Sequence, residues 1–288
     1  MAANVGGSRE FAFRALRKPE EYRHAEELQR EALGDEASLA VPSSLLRSVQ
    51  DHGGLVLGAF ADIYLAGLTV SSIGWDGTTL YHHSLLTAVR PEYQNHRVGF
   101  RLKAFQRDEV LRLGLPEVRW ELDPLRRAAA SLAIRHLGAR PEGYLTNYFG
   151  KLEGSDGPHD ESDRLRVRWP LQAPEVERRL AGRLPSPEED RRRHAASFPV
   201  VQAEPGETGL RVPTAVEEPT GPTASLEVPF DFASIRTHEP GSVRRWRHAA
   251  RDGFRAAFDL GYAVEDFATV SLERERRCFY FLAQSPTP

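Results

Sequence analysis

The residues with the clearest chemical content run from Leu86 to Arg101: Leu86-Thr87-Ala88-Val89, then Arg90-Pro91-Glu92-Tyr93, then Gln94-Asn95-His96-Arg97-Val98-Gly99-Phe100-Arg101. An apolar run stops at a proline, and a helical stripe starts at Val98 and continues through Leu102, Phe105 and Leu113. A loop opening onto a helix presents backbone N–H groups with no intrahelical partner, at the positive end of the dipole. That is the chemistry of a phosphate or pyrophosphate site, and Gly99 lets a ligand approach the backbone. A second set of residues can move protons. Glu121 and Asp123 alternate with Trp120 and Leu122, so both carboxylates face one side of a strand. Asp123, directly before Pro124, reads more simply as a cap for the next helix. Tyr144 and Tyr148 offer phenols, with sheet packing as the plainer role. His82 and His83 are neighbours on a strand and point to opposite faces, so they cannot share a metal. Asp163-Arg164 reads as a local salt bridge. The single cysteine, Cys278, excludes an internal disulfide framework and any Cys-based metal cluster, and reads as a buried thiol. No metal site is expected.

These residues need elements to hold them. Phe11 to Leu16 alternates as a half-buried strand, and Pro19 opens a helix through Leu33. A short helix over 41–49 precedes strands at 54–60 and 64–73, and Asp76-Gly77 marks a hairpin turn into a strand at 80–89. The helix 97–113 ends at Gly114. A strand at 117–122, a helix at 126–136 stopped by Gly138, and strands at 144–149 and 165–169 follow. After a short helix at 174–184, eight of the twenty prolines fall between Pro185 and Pro229, which reads as a long connector. Leu226 to Phe230 reads as an edge strand because of Pro229. The helix 242–259 lines up Trp246, Ala250, Phe254 and Phe258, and strands at 262–270 and 278–282 close the chain.

The stretch Gln94-x-x-Arg97-Val98-Gly99 resembles the acyl-CoA signature of the GNAT N-acyltransferase superfamily, Gln/Arg-x-x-Gly-x-Gly/Ala, with Arg97 in the place of the first glycine. Arg119-Trp120-Glu121-Leu122-Asp123-Pro124-Leu125, then Leu137-Gly138-Ala139, then Tyr144 to Gly150 extend the resemblance over about residues 10–170. It implies an α+β GNAT fold with a central mixed, largely antiparallel sheet. It also implies that Leu86, Thr87, Ala88 and Val89 meet the pantetheine arm, and that Gln94, Asn95, His96, Arg97, Val98, Gly99, Phe100 and Arg101 hold the pyrophosphate. Acetyl-CoA or another acyl-CoA is then the co-substrate and a small amine the acceptor. One bacterial branch suggests an amino acid acceptor and succinyl-CoA. Many GNAT enzymes carry a tyrosine near the sulfur, with an asparagine nearby. Those places fall here on Ile134 and among Arg127, Ala128 and Ala129, so Glu121 is the first choice of base and Tyr144 the second choice, as acid.

The expected organisation is a GNAT domain over 10–170, a Pro-rich connector over 171–225 and an extension over 226–288. Strand, helix, Leu-Gly, strand, strand describes both 118–169 and 226–282, so the extension reads either as a truncated second GNAT-like half or as an unrelated α+β appendage. No segment equivalent to 94–100 recurs there, so no second CoA site is expected. With 288 residues, 40% apolar content and a net charge of −3, nothing draws the chain electrostatically to nucleic acid or membrane. Met1 to Arg9 lacks the apolar core of a leader, and a soluble cytoplasmic protein follows, with a homodimer among the expected partners. Two activities fit: N-acyl transfer, or a degenerate module that binds CoA thioesters or a protein partner without turnover.

Overall fold

In the computed structural model residues 10–150, 161–273 and 275–284 are described; Met1 to Arg9 lies outside them. The chain divides into two compact units, Met1–Val118 and Arg119–Pro288. In the first, β1 (Ala12–Ala15) leads to α1 (Pro19–Leu33), a 3-10 turn and α2 (Ser43–Asp51). Then come β2 (Leu55–Ala61), β3 (Tyr64–Trp75), β4 (Leu80–Val89) and α3 (Val98–Arg112). Pro19 stands in the first turn of α1, where its missing N–H costs nothing. The four strands lie in the order β1-β2-β3-β4, each antiparallel to the next. Asp76 Oδ1 accepts the N–H groups of Thr78 and Thr79 and Gly77 takes φ +101°, which makes the expected hairpin turn. One sheet face buries Leu68 and Val70 with Tyr22, Ala25, Leu28 and Leu46 of the first two helices. Val98 and Leu102 of α3 belong to a second apolar cluster with Phe11, Ala59 and Ala66.

The inward stripe of α3 differs from the expected one. Val98 and Leu102 are buried, but the stripe continues through Lys103, Gln106 and Val110, while Leu113 is half exposed. Apolar spacing could not reveal this, because two of the buried positions are polar, and each donates a hydrogen bond to Ser84 Oγ.

The second unit begins within β5 (Glu117–Leu122). There follow α4 (Arg127–Ala130), which widens into a π-type turn over Ser131–His136, then β6 (Arg140–Leu145) and β7 (Arg164–Pro170), in the strand order β5-β7-β6. Next are α5 (Pro174–Leu180), α6 (Pro187–Ala196), β8 (Phe198–Pro205), β9 (Arg211–Val216) and β10 (Thr223–Val228). The last described elements are α7 (Phe232–His238), α8 (Pro240–Asp259), β11 (Tyr262–Leu272) and β12 (Glu275–Gln284). The last five strands form a sheet in the order β11-β12-β10-β8-β9, with β8 and β10 parallel and the other pairs antiparallel. The fold is therefore mixed α/β with an extra carboxy-terminal sheet. Its first eleven elements, the 3-10 and π-type turns aside, run in the order that the GNAT resemblance implies.

Three expectations are corrected. The 171–225 stretch is no bare connector: it contains two helices, β8, β9 and the start of β10. Its prolines sit where no ladder N–H is needed, as in the first turn of α6 (Pro187), at the end of β8 (Pro205) and on the edge strand β9 (Pro213). Second, β10 is a central strand between β12 and β8, and Pro229 lies just past its end. Third, the strand expected at 144–149 is β6 at 140–145, because Asn147 turns left-handed (φ +46°) and gives its N–H to Asp163. The internal echo is real in topology. β5-α4-β6-β7 places its third strand between the first two, and β10-α8-β11-β12 does the same. Between β8 and β10 the described residues form a hairpin and no helix, so nothing there repeats the start of α3.

Candidate functional site

The loop from β4 to α3 is shaped by a few local bonds. Arg90 N–H donates to Ala66 O, and Gln94 Nε2 donates to Val89 O at 3.1 Å, which ties the loop to the end of β4. Asn95 (φ +64°) and Arg97 (φ +58°) both adopt the left-handed conformation. Arg97 is the residue before α3, and a left-handed residue joined to a right-handed one is the backbone pattern of an anion-binding concavity. No side chain caps α3, and its first turn carries no acidic residue. Gln94, Asn95, His96, Arg97 and Arg101 are exposed. The Arg97 guanidinium folds over Phe100, 4.7 Å from the ring centroid, and Arg101 over Phe13 at 4.5 Å. Neither forms an ion pair with a carboxylate among the described residues. Both leave their charge at the loop. Buried Val98 and Leu102 fix the turn against Gly67 of β3, where even a methyl would come within 2.9 Å of Leu102.

Beside this loop β4 carries a bulge. Ser71 pairs with Ser84 and Val70 with Leu86, so Leu85 has no partner on β3 and stands out, 42% exposed. Directly before it, Ser84 Oγ accepts a hydrogen bond from buried Lys103 Nζ at 3.1 Å and lies 3.4 Å from Gln106 Nε2. Burial lowers the Lys103 pKa to about 7. Buried His82 sets Nδ1 2.9 Å from Ser71 Oγ. Its pKa is pushed down to about 4 by burial, with the Gly53 backbone acting weakly the other way. Sequence reasoning did not find this polar cluster. Its signal was the spacing of Lys103, Gln106 and Val110 along α3, which shares a face with Leu102. Of the residues assigned to the pantetheine arm, Ala88 is buried and Leu86, Thr87 and Val89 are half-buried.

The proton-transfer candidates lie in the second unit. Glu121 is half-buried on β5. Asp123, just past the strand, is committed elsewhere. Its Oδ1 accepts the Leu125 N–H at 3.0 Å, and Arg247 of α8 grips both oxygens at 2.6 and 3.2 Å. Burial alone would raise its pKa, but the Arg247 guanidinium, helped by Arg164, holds it at about 2. Asp123 thus fixes the turn after β5, as expected of a cap, but its main partner is an arginine far along the chain. Tyr144 donates its hydroxyl to Asp163 at 2.7 Å and stacks on Phe254. Burial, and then the Asp163 charge, push its pKa upward, so it keeps its proton. Asp163 pairs through its carboxylate with Arg251, not with its neighbour Arg164, which reaches only its backbone carbonyl. Ile134 is buried. The π-type turn around it bonds Leu137 N–H to Leu132 O and Ala139 N–H to Ala133 O. Such a turn holds an extra residue and rotates what precedes it. Cys278 is buried, and burial raises its thiol to about 11. Among the described residues no group of His, Cys, Asp and Glu could hold a metal, and no helix is long and apolar enough to cross a membrane.

No family model and no curated protein sequence matches the chain. Solved structures do. The ribosomal-protein-S18-alanine N-acetyltransferase from Escherichia coli matches at 18% identity and a TM-score of 0.47, over 57% of this chain and 96% of that one. An IAA acetyltransferase from Bacillus cereus matches at 15% identity and TM-score 0.43, over 55% and 98%. An aminoglycoside 6'-N-acetyltransferase complexed with coenzyme A matches at 14% identity and TM-score 0.43, over 56% and 98%. Each likeness takes in little more than half of this chain.

Proposed function

We propose that this chain is an acyl-CoA-dependent N-acyltransferase of the GNAT type, moving an acetyl or other acyl group onto the amine of a small molecule. One observation carries the reading: α3 begins uncapped, without an acidic first turn, behind a loop with two left-handed residues, and its Arg97 and Arg101 meet no carboxylate among the described residues. A diphosphate suits that end of the helix on charge and on unpaired N–H groups alike. The loop 94–101 then holds the CoA pyrophosphate, and the backbone of 86–89 serves the pantetheine amides.

Acyl transfer forms an N–C bond, breaks the C–S bond of the thioester and removes two protons from the nitrogen of an ammonium acceptor, one as the tetrahedral adduct collapses and one that must leave before attack. Glu121, directly or through a water, takes that proton. The thiolate departs without an acid side chain, since a thiol pKa of about 8.5 makes unassisted departure tolerable near neutral pH, and the second nitrogen proton passes to the released thiolate or to water. Tyr144 takes no step, because its proton is engaged by Asp163. Alignment of the reactants supplies the rest of the rate.

Calorimetry with acetyl-CoA, followed by CoA release with a panel of amines, tests this reading. Glu121→Gln is expected to lower kcat/KM by about two to four orders of magnitude while acetyl-CoA affinity holds. The loss should shrink at high pH, where more of the acceptor is already neutral. Unchanged rates at pH 7 would remove Glu121 from the mechanism. The second reading, a binding module without turnover, is favoured by the absence of any tyrosine or asparagine between Arg126 and Leu137. A wild-type protein that binds acetyl-CoA yet acylates no amine at any pH decides for it.

A further inference from the structure

We infer that Arg127 and Arg276, both held against Phe230, form a receptor for an anionic group on the acceptor. This rests on the acyl-transfer reading and adds the substrate class: an amine that also bears a carboxylate or a phosphate-like group. The two guanidinium carbons lie over the same ring, 4.4 and 4.5 Å from its centroid. Arg127 Nε also donates to Phe230 O at 3.0 Å, which fixes the plane of its fork. A guanidinium stacked by its face on a ring keeps its edge N–H groups free to point elsewhere. Both arginines are exposed.

Neither has a carboxylate within ion-pair distance among the described residues. Other exposed arginines do: Arg23, Arg30, Arg47 and Arg192 each pair with an acid on their own helix. The acids near the Phe230 pair are taken. Asp231 caps α7, accepting Ser234 N–H at 3.0 Å and Ser234 Oγ–H at 2.7 Å, and it feels Arg127 only as the weakest of the influences that lower its pKa. Glu275, the neighbour of Arg276 on β12, pairs with Arg211. Two guanidinium groups over one ring, with no counter-ion among the described residues, are open to an oxyanion, which a planar guanidinium can grip bidentately.

The position suits the acceptor. Arg127 opens α4 immediately after β5, the strand that carries Glu121. The turn between them is held by the Arg126 N–H to Asp123 O bond at 3.1 Å and by the Asp123–Arg247 grip. An amine whose anionic group rests on Arg127 and Arg276 is thereby tethered at the end of that strand.

The test measures kcat/KM, with acetyl-CoA as donor, for amino acids against their carboxamides and against the matching aminoalkylphosphonates. Wild-type protein, Arg127→Gln, Arg276→Gln, the double variant and the double lysine variant are compared. Acetyl-CoA affinity and melting temperature are followed in each as checks on the fold. The anionic acceptors should be preferred over the carboxamides by roughly ten- to a hundredfold, mainly through KM. That preference should collapse in the double glutamine variant and return in part with lysine. Preference for carboxylate or for phosphonate names the oxyanion. Equal use of acids and carboxamides by the wild type, or a preference that survives the double glutamine change, overturns the anion receptor while leaving acyl transfer standing. A wild type that binds acetyl-CoA and turns over neither series overturns both.

Discussion

At the scale of single residues, Arg97 is where this chain departs most informatively from the signature it resembles. Its φ of +58° is the conformation that glycine adopts freely and that an L side chain enters at a cost of about 1–2 kcal/mol. Arg97→Gly relieves that strain and loses some unfolded-chain restriction, so a net gain of about 0.5–1 kcal/mol is expected in thermal or urea unfolding. Gly99→Asp makes the complementary test. A carboxylate in the first turn suits the helix dipole, so stability should hold or rise, while acetyl-CoA affinity falls at least tenfold through repulsion of the diphosphate. Full affinity in Gly99→Asp would remove the loop from the binding site. His82 carries a prediction about acid. Its folded pKa of about 4 lies below the unfolded value of about 6.5, so the unfolded chain binds the extra proton in that window. Its contribution to stability is whole above pH 6.5 and is lost as pH falls toward 4, up to about 3 kcal/mol. Burial lowers His194 as well, so both rings act in the same direction. His82→Gln should flatten this part of the stability curve, and an unaltered slope would assign it to His194 or to carboxylates.

At the scale of elements, the start of α3 is placed by a contact that only glycine allows. A methyl on Gly67 would lie 2.9 Å from Leu102 Cδ1 and 3.0 Å from Val98 Cγ1. Both partners are core side chains with little room to move. Gly67→Ala should cost about 1–3 kcal/mol by overpacking and, by lifting the first turn of α3, weaken acetyl-CoA binding as well. A variant of parental stability and affinity would show that the helix seat tolerates displacement. In the second unit, α8 joins elements remote in sequence. It buries Trp246 and Phe254, gives Arg247 to Asp123 and Arg251 to Asp163, and stacks Phe254 on Tyr144. The aromatic line read from its spacing is the buried face. The arginines between the aromatics, which spacing assigns to solvent, make its polar contacts.

At the scale of the whole molecule, the carboxy-terminal sheet is part of the fold of the second unit. A bulge at Glu265 turns Asp266 inward, where it meets Arg135 at 2.6 Å, Arg193 at 3.1 Å and Arg179 at 3.3 Å. Arg135 is also gripped by Asp190 of α6 at 2.8 and 3.0 Å, and Tyr280 of β12 donates to Pro124 O at 2.8 Å. Ending the chain after Leu184 would take Asp190 and Asp266 from Arg135, Arg247 from Asp123 and Arg251 from Asp163. Each such broken pair costs about 3–5 kcal/mol. The fragment 1–184 should therefore be insoluble or melt far below the full chain. A soluble fragment with the parental melting temperature would mean that these ion pairs contribute nothing to holding the first 184 residues together.

What the amino-acid order decides by itself is local. Pro19, Gly114 and Asp76-Gly77 place a helix start, a helix end and a hairpin because each acts through its own backbone or its nearest neighbours. The β4-loop-α3 stretch was legible for the same reason: apolar run, proline, loop and helical stripe are adjacent in sequence. The aromatic line of α8 was legible because a helix repeats itself. Tertiary structure alone decided the remainder. Pro185 to Pro229 looked like a connector because prolines interrupt ladders. Only strand order shows that these prolines fall at ends, at an edge and in first turns, where no ladder bond is lost. Asp123 meeting Arg247 and Arg127 meeting Phe230 are contacts across more than a hundred residues, and no spacing rule joins them. Lys103 and Gln106 are of types that are usually solvated, and the structure buries both where the Ser84 hydroxyl accepts a hydrogen bond from each.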